Sequence, residues 1–241
     1  MHLGEPIVGL DRLKQVVRRA NALNPDLTVL LGDHMASHRF VTGHLRFEDA
    51  APLFAQLEAK LGVYSILGNH DWWDDAQAQV RGGGPNQYAE MLQGLGIPVL
   101  SNAAIDIGPI WLAGLEDQIA IARPGGGYRG LDDLPGSMAQ VPDDGKPCIL
   151  LAHEPDVFVE VPNRVALTLS SPTHGGQVRL LGWSPKVPSR FGNRFAYGHL
   201  QEAGRDLVVS GGIGCSIVPV RLGVVPEITV VEFTKAAPTA A

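Results

Sequence analysis

The sequence predicts an α/β fold of two packed mixed β-sheets flanked by helices. Short apolar runs recur along the chain, each passing at once into polar, turn-forming residues. Amphipathic segments of helical period separate the early runs, and the later part of the chain is mostly strand-like. The 241 residues are 45% hydrophobic and 18% charged, the composition of one large globular domain. That domain is placed at residues 1–234, with 235–241 read as a flexible tail of small residues.

The elements follow in order. Leu13, Val16, Val17 and Ala20 recur at helical spacing and predict a helix over Asp11–Leu23. Leu27–Leu31 is a strand that runs into Gly32-Asp33-His34. Phe47, Phe54, Leu57 and Leu61 share one side of a predicted helix over Phe47–Leu61. The strand Val63–Leu67 runs into Gly68-Asn69-His70-Asp71, and a weaker helix covers Asn86–Leu95. Cys148–Leu151 leads into Ala152-His153-Glu154, and Val165–Leu169 leads into Ser170 to Gly176. Leu207–Val209 precedes Ser210-Gly211-Gly212, and Glu227–Phe233 reads as a last strand rich in β-branched residues. Gly82–Gly84 and Gly125–Gly127 read as surface loops.

The net charge of −6 argues against a nucleic-acid partner, because phosphate backbones attract basic surfaces. It leaves open phosphate chemistry in which metal ions supply positive charge locally. The two cysteines, Cys148 and Cys215, lie in or beside apolar runs and read as buried free thiols. No run reaches the ~20 apolar residues of a membrane span.

Chemistry collects at the ends of the strands. His70, His153 and His174 each follow an apolar run, and His2 lies at the chain start. Asp33 and Asn69 occupy matching positions. In α/β sheets, ligand groups gather beyond the carboxyl ends of strands. His, Asp and Asn together offer the N and O donors that suit Mn, Fe or Zn.

Gly32-Asp33, Gly68-Asn69-His70-Asp71, Ala152-His153 and Thr173-His174-Gly175-Gly176-Gln177 together resemble the calcineurin-like metallophosphoesterase superfamily. The Thr-His-Gly-Gly-Gln ending more narrowly resembles a bacterial branch that includes a Bacillus cell-wall-associated phosphoesterase. The resemblance implies a four-layer αββα sandwich and two divalent cations (Mn, Fe or Zn). It implies one metal on His2, Asp33 and His174, and another on Asp33, Asn69 and His153. Asp33 would bridge them, and a water activated between cations about 3.5–4 Å apart would attack phosphorus. His70 would be the catalytic histidine that donates to the leaving oxygen. Asp71 would orient His70 or cap its turn. The implied activity is hydrolysis of a phosphomonoester, phosphodiester or pyrophosphate, with a phosphorylated small molecule or a lipid-linked compound as substrate. The two Gly residues after His174 would let backbone pass close to the metals, with Gln177 bonding across the turn.

The chain departs from the family pattern twice. The family's first metal-binding aspartate, and the apolar strand leading to it, would fall just before Met1, so the first strand is expected to be missing and the chain to be truncated. Relatives often carry an N-terminal membrane or export segment there, so membrane association and localisation stay open. Where the family has Gly-His-Thr-His, this chain has Ser171-Pro172-Thr173-His174, and Pro172 offers no metal donor. The second departure supports an alternative: a degenerate member that binds phosphate ligands or a partner without turnover. His34, His38 and His44 read as a solvated loop. Trp72 and Trp73 read either as an apolar wall for the substrate or as packing. Arg179, Lys186, Arg190 and Arg194 read mostly as surface charge, and His199 as structural.

Overall fold

In a computed structural model, described here for residues 1–36, 40–43, 45–216 and 218–233, the chain forms an α/β fold around a mixed six-stranded sheet. In chain order the elements are α1 (Leu10–Ala22), β1 (Thr28–Leu31), α2 (Phe47–Phe54), β2 (Val63–Ile66), α3 (Asn69–Trp73), α4 (Ala76–Arg81) and α5 (Gln87–Gly94). They continue with β3 (Ala103–Asp106), β4 (Trp111–Gly114), β5 (Ile121–Ala122), β6 (Tyr128–Arg129), α6 (Leu134–Ala139), β7 (Cys148–Leu151), β8 (Val165–Ser170), β9 (Gly198–Glu202) and β10 (Arg205–Val209). The large sheet has the order β3-β4-β7-β8-β10-β9. Its four central strands run parallel, and β3 and β9 close its edges antiparallel.

A separate two-stranded sheet is formed by the parallel pair β1–β2, and the four-layer sandwich is not seen among the described residues. Among the described residues, the edge of β1 away from β2 carries no strand, and Thr28–Leu31 stay half-buried despite their apolar character. The two sheets meet across Ile66, Leu100, Leu112, Ile149 and Leu151, joined by Val29, Leu31 and Leu169. A second core holds α1, α2 and α5 through Leu13, Val17, Phe47, Phe54 and Leu92. A third seats α6 and the Pro155–Val159 turn of 3₁₀ helix on the large sheet through Met138, Phe158, Leu150 and Val209.

Two expected elements are corrected. The helix predicted over Phe47–Leu61 stops at Phe54. Beyond it the Asn21 side chain accepts from Glu58 N (3.0 Å) and donates to the Gln56 carbonyl (2.8 Å), so bonds to α1 replace the helical ladder. Glu227–Phe233 forms no strand. Both edges of β10 are taken, by β8 and β9, which leaves that segment no ladder there. Its residues Ile228, Thr229 and Val231 instead line a cavity of about 180 Å³ with α1 and β1. Strands β3, β4 and β9 escape sequence reading, being short and broken by Gly, Pro or charged residues. Both cysteines are buried free thiols, as expected. His38, His44 and the tail 235–241 lie outside the described residues. No helix among the described residues is long and apolar enough to cross a membrane.

Candidate metal centre

Parallel strands bring their carboxyl ends to one side, and the site forms there. β1 and β2 pair in register from Thr28↔Val63 to Leu31↔Ile66, so the turns after them run side by side. They touch at two glycines. Gly32 has φ +83°, and a Cβ on it would lie 2.3 Å from Gly68 N. A Cβ on Gly68 would lie 2.5 Å from Asp33 Oδ1 and 2.6 Å from His153 Cε1. Only glycine fits where two backbones approach this closely.

Asp33, buried and with φ +53°, is held from several directions. Its N–H donates to Asp71 Oδ2 (2.8 Å), and its Oδ1 accepts from His70 N (2.9 Å). Its Oδ2 lies 3.1 Å from His2 Nε2 and 3.2 Å from His153 Nε2. Burial alone would raise the Asp33 pKa, but the surrounding His153, His70 and His2 outweigh it and hold the carboxyl well below the usual range. Asp33 is therefore an anion between two imidazoles.

Those imidazoles differ. Burial pulls His2 down to about 4, against the attraction of Asp33. Burial also acts to lower His153, but Asp33, Glu154 and the Leu31 carbonyl overcome it and lift its pKa to about 9. His174 sits after β8 in a left-handed turn (φ +49°), and its Nε2 lies 2.9 Å from His2 Nε2. Burial and the neighbouring His2 hold His174 well below its ordinary value. Two imidazoles kept neutral, with ring nitrogens facing beside a carboxylate, present lone pairs suited to a cation. The Nδ1 of His2 is buried with no hydrogen-bond partner. The residues present therefore fit a divalent metal, with His2, Asp33 and His70 offering donor atoms within 4.8 Å of one another.

Asn69 opens α3 and is buried. Asp71 caps that helix: its carboxylate accepts from Gly68 N (2.9 Å), Asp33 N and His34 N, and pairs with the His34 ring at 3.0 Å. Burial would raise its pKa, but His34 and the backbone donors lower it. Capping, one of the two roles expected of Asp71, is found. His34 is buried against Phe47 and Phe54 rather than solvated, because its ring satisfies the Asp71 carboxylate.

Trp72 is buried and donates to Glu116 Oε2, a packing role. Trp73 is half-buried, lies 5.2 Å from the His70 ring and stacks on Tyr128 at 4.7 Å, forming a wall beside His70. Gly175 and Gly176 follow His174 with φ +61° and +79°. A Cβ there would strike Val224 and Ser184, so they serve packing of the loop. Gln177 donates to the Val218 and Val220 carbonyls and accepts from Ser216 N, tying its turn to that loop. Arg190 and Arg194 pair at the surface with Asp156 and Glu202, and His199 pairs with Asp206 at 2.6 Å.

Three nearby residues escape sequence reading. Arg221 donates to the Gly211 and Gly214 carbonyls and lies 3.4 Å from His174 Nδ1, 47 positions away in the chain. Asp117 and Glu154 are buried beside His153, with donor atoms within 4.8 Å. Burial, then Glu154, pushes the Asp117 carboxyl well above its usual range. The signal for Asp117 was hidden with strand β4, which precedes it, and Glu154 reads in sequence as a plain turn residue after His153.

Comparison with known proteins identifies the family. A family profile described as calcineurin-like phosphoesterase matches residues 1–213. An uncharacterized metallophosphoesterase of Bacillus subtilis is 30% identical over 92% of this chain and 72% of its own length. One of Aquifex aeolicus is 31% identical over 97% of this chain and 82% of its own. A transmembrane protein with metallophosphoesterase domain from Danio rerio is 30% identical over 98% of this chain, which spans only 52% of that protein.

Proposed function

This chain belongs to the calcineurin-like phosphoesterase family, and from that premise we propose that it is a hydrolase of phosphate esters working with two divalent cations. The observation that carries the reading is Asp33 Oδ2, placed within 3.2 Å of a histidine ring nitrogen on each side. One cation is assigned to His2, Asp33 and His174, the other to Asp33, Asn69 and His153. Bound cations of this kind supply Lewis acidity toward phosphoryl oxygens and a water of lowered pKa.

The chain's own groups supply the rest. Asp33 is kept ionised by the imidazoles around it, so no proton must leave it before cations bind. His70 is half-buried at the start of α3, its backbone fixed by Asp33 and its ring edge-on to His2 at 4.7 Å. From there it can donate to a leaving oxygen, while Trp73 walls one side of the space it faces. Arg221 adds a half-buried positive charge beside His174 and favours an anionic substrate. The substrate class proposed is a phosphomonoester, phosphodiester or pyrophosphate, on a small molecule or a lipid carrier.

The test is hydrolysis of a chromogenic phosphodiester with added Mn²⁺. Turnover that falls on chelation and in Asp33→Asn supports the hydrolase. Cation binding without turnover on mono-, di- or pyrophosphate substrates identifies instead a phosphate-binding member, the reading that Pro172 favours.

A second prediction concerns protons. In the metal-free protein His153 holds its proton up to a pH of about 9. Ligation needs the neutral ring, so cation uptake at pH 7.5 is expected to release a proton from His153. Affinity should rise up to ~10-fold per pH unit from neutrality to about pH 9. Calorimetry in buffers of different ionisation enthalpy measures the release, and an affinity flat across that range contradicts it.

A further inference from the structure

Strands β4 and β7 run parallel in the register Gly114↔Leu151. Three residues beyond each partner stand Asp117 and Glu154, brought together by that register at the carboxyl ends of the strands. Both are buried, 0% and 7% exposed, next to His153 at 2%. One donor atom from each of the three lies within 4.8 Å of the others. One oxygen of each carboxylate is satisfied: Asp117 Oδ1 accepts from Ile119 N (2.8 Å), and Glu154 Oε2 accepts from Gln118 N (3.2 Å). The other two, Asp117 Oδ2 and Glu154 Oε1, are buried with no N–H or O–H of another residue to satisfy them, so that in the metal-free chain a proton held between the two carboxyls is what pairs them. Leaving such oxygens unpaired in the interior is costly, and a cation is one partner that removes the cost. His153 also faces Asp33 Oδ2 at 3.2 Å, so this cluster adjoins the site already described.

We propose that Asp117 and Glu154 are ligands of the second divalent cation, held together with His153. The proposal rests on the two-cation reading and deepens it. Pro172 offers no donor at its place in the chain, and these carboxylates provide oxygen donors beside His153. Oxygen-rich ligation favours a harder ion such as Mn²⁺ over Zn²⁺.

The experiment is a calorimetric Mn²⁺ titration of the metal-free full chain, its Asp117→Asn/Glu154→Gln variant and Asp33→Asn. Wild type is expected to bind two Mn²⁺. The double variant is expected to keep the first and bind the second ~10–100-fold more weakly. Adding Pro172→His to the double variant should restore the second. Thermal melting of the metal-free proteins checks folding. The double variant should melt close to wild type, since its amides keep the shape of the carboxyls and can still accept from Ile119 N and Gln118 N. If it fails to fold, Glu154→Gln alone is titrated with the same expectation. Unchanged binding of every Mn²⁺ in the variant overturns the proposal while leaving the two-cation reading intact. A wild-type chain that binds no Mn²⁺ overturns that reading, and the proposal with it.

Discussion

Asp33→Asn is expected to abolish cation binding at both positions and turnover with it. Removing a residue that merely supports a ligand commonly costs ~10–100-fold. Asp33 should cost more, because its Oδ2 is the group that approaches both His2 and His153. Asparagine can still accept the His70 N–H, so the turn should hold while the charge is lost. The metal-free protein offers an independent readout. The His153 pKa is raised in the folded state, from 6.5 to about 9, chiefly because Asp33 offsets burial. Its contribution to stability is then fully present below about pH 6.5 and is lost as the pH rises through about 9. Wild-type unfolding free energy should fall over that window. Asp33→Asn should lack the fall, starting already lower at pH 6. Denaturant melts across pH measure both, and parallel curves for the two proteins would refute the assignment.

Gly68→Ala is expected to damage stability and site together. The backbone at Gly68 is extended (φ −112°), so no conformational strain opposes alanine. The obstacle is space, since the new methyl would sit 2.5 Å from Asp33 Oδ1 and 2.6 Å from His153 Cε1. Relief requires moving either a turn or two site residues. Overpacking of this kind costs about 3 kcal/mol, equivalent to a Tm fall of roughly 6–12 °C for a chain of this size. Cation affinity should fall with it, because the displaced groups are proposed ligands. An alanine variant with wild-type Tm and affinity would show that the two turns do not pack as described.

The sequence reveals the parts of this fold that obey local rules. Apolar runs ending in Gly-Asp or Gly-Asn-His mark β1 and β2, whose parallel register sets Asp33 beside His70 and Asp71, and the packing of the two sheets then brings Asp33 to His153. The residues it conceals act at long range. Arg221 reaches His174 through a loop with no periodic pattern, and Asp117 depends on β4, a four-residue strand bounded by glycines and a proline. Glu227–Phe233 shows the opposite error. Its β-branched residues favour a strand, yet a strand also needs a free edge, and β10 has none to offer. His34 misleads in the same way, since a histidine after a turn reads as solvated until Asp71 is seen to need it.

The most direct test of the central claim is cation stoichiometry on the purified full chain, by calorimetry and elemental analysis after Mn²⁺ loading. Two equivalents per chain, both lost in Asp33→Asn, are what the geometry around Asp33 predicts. A wild-type chain that retains no divalent cation, or one whose binding survives Asp33→Asn, would contradict it.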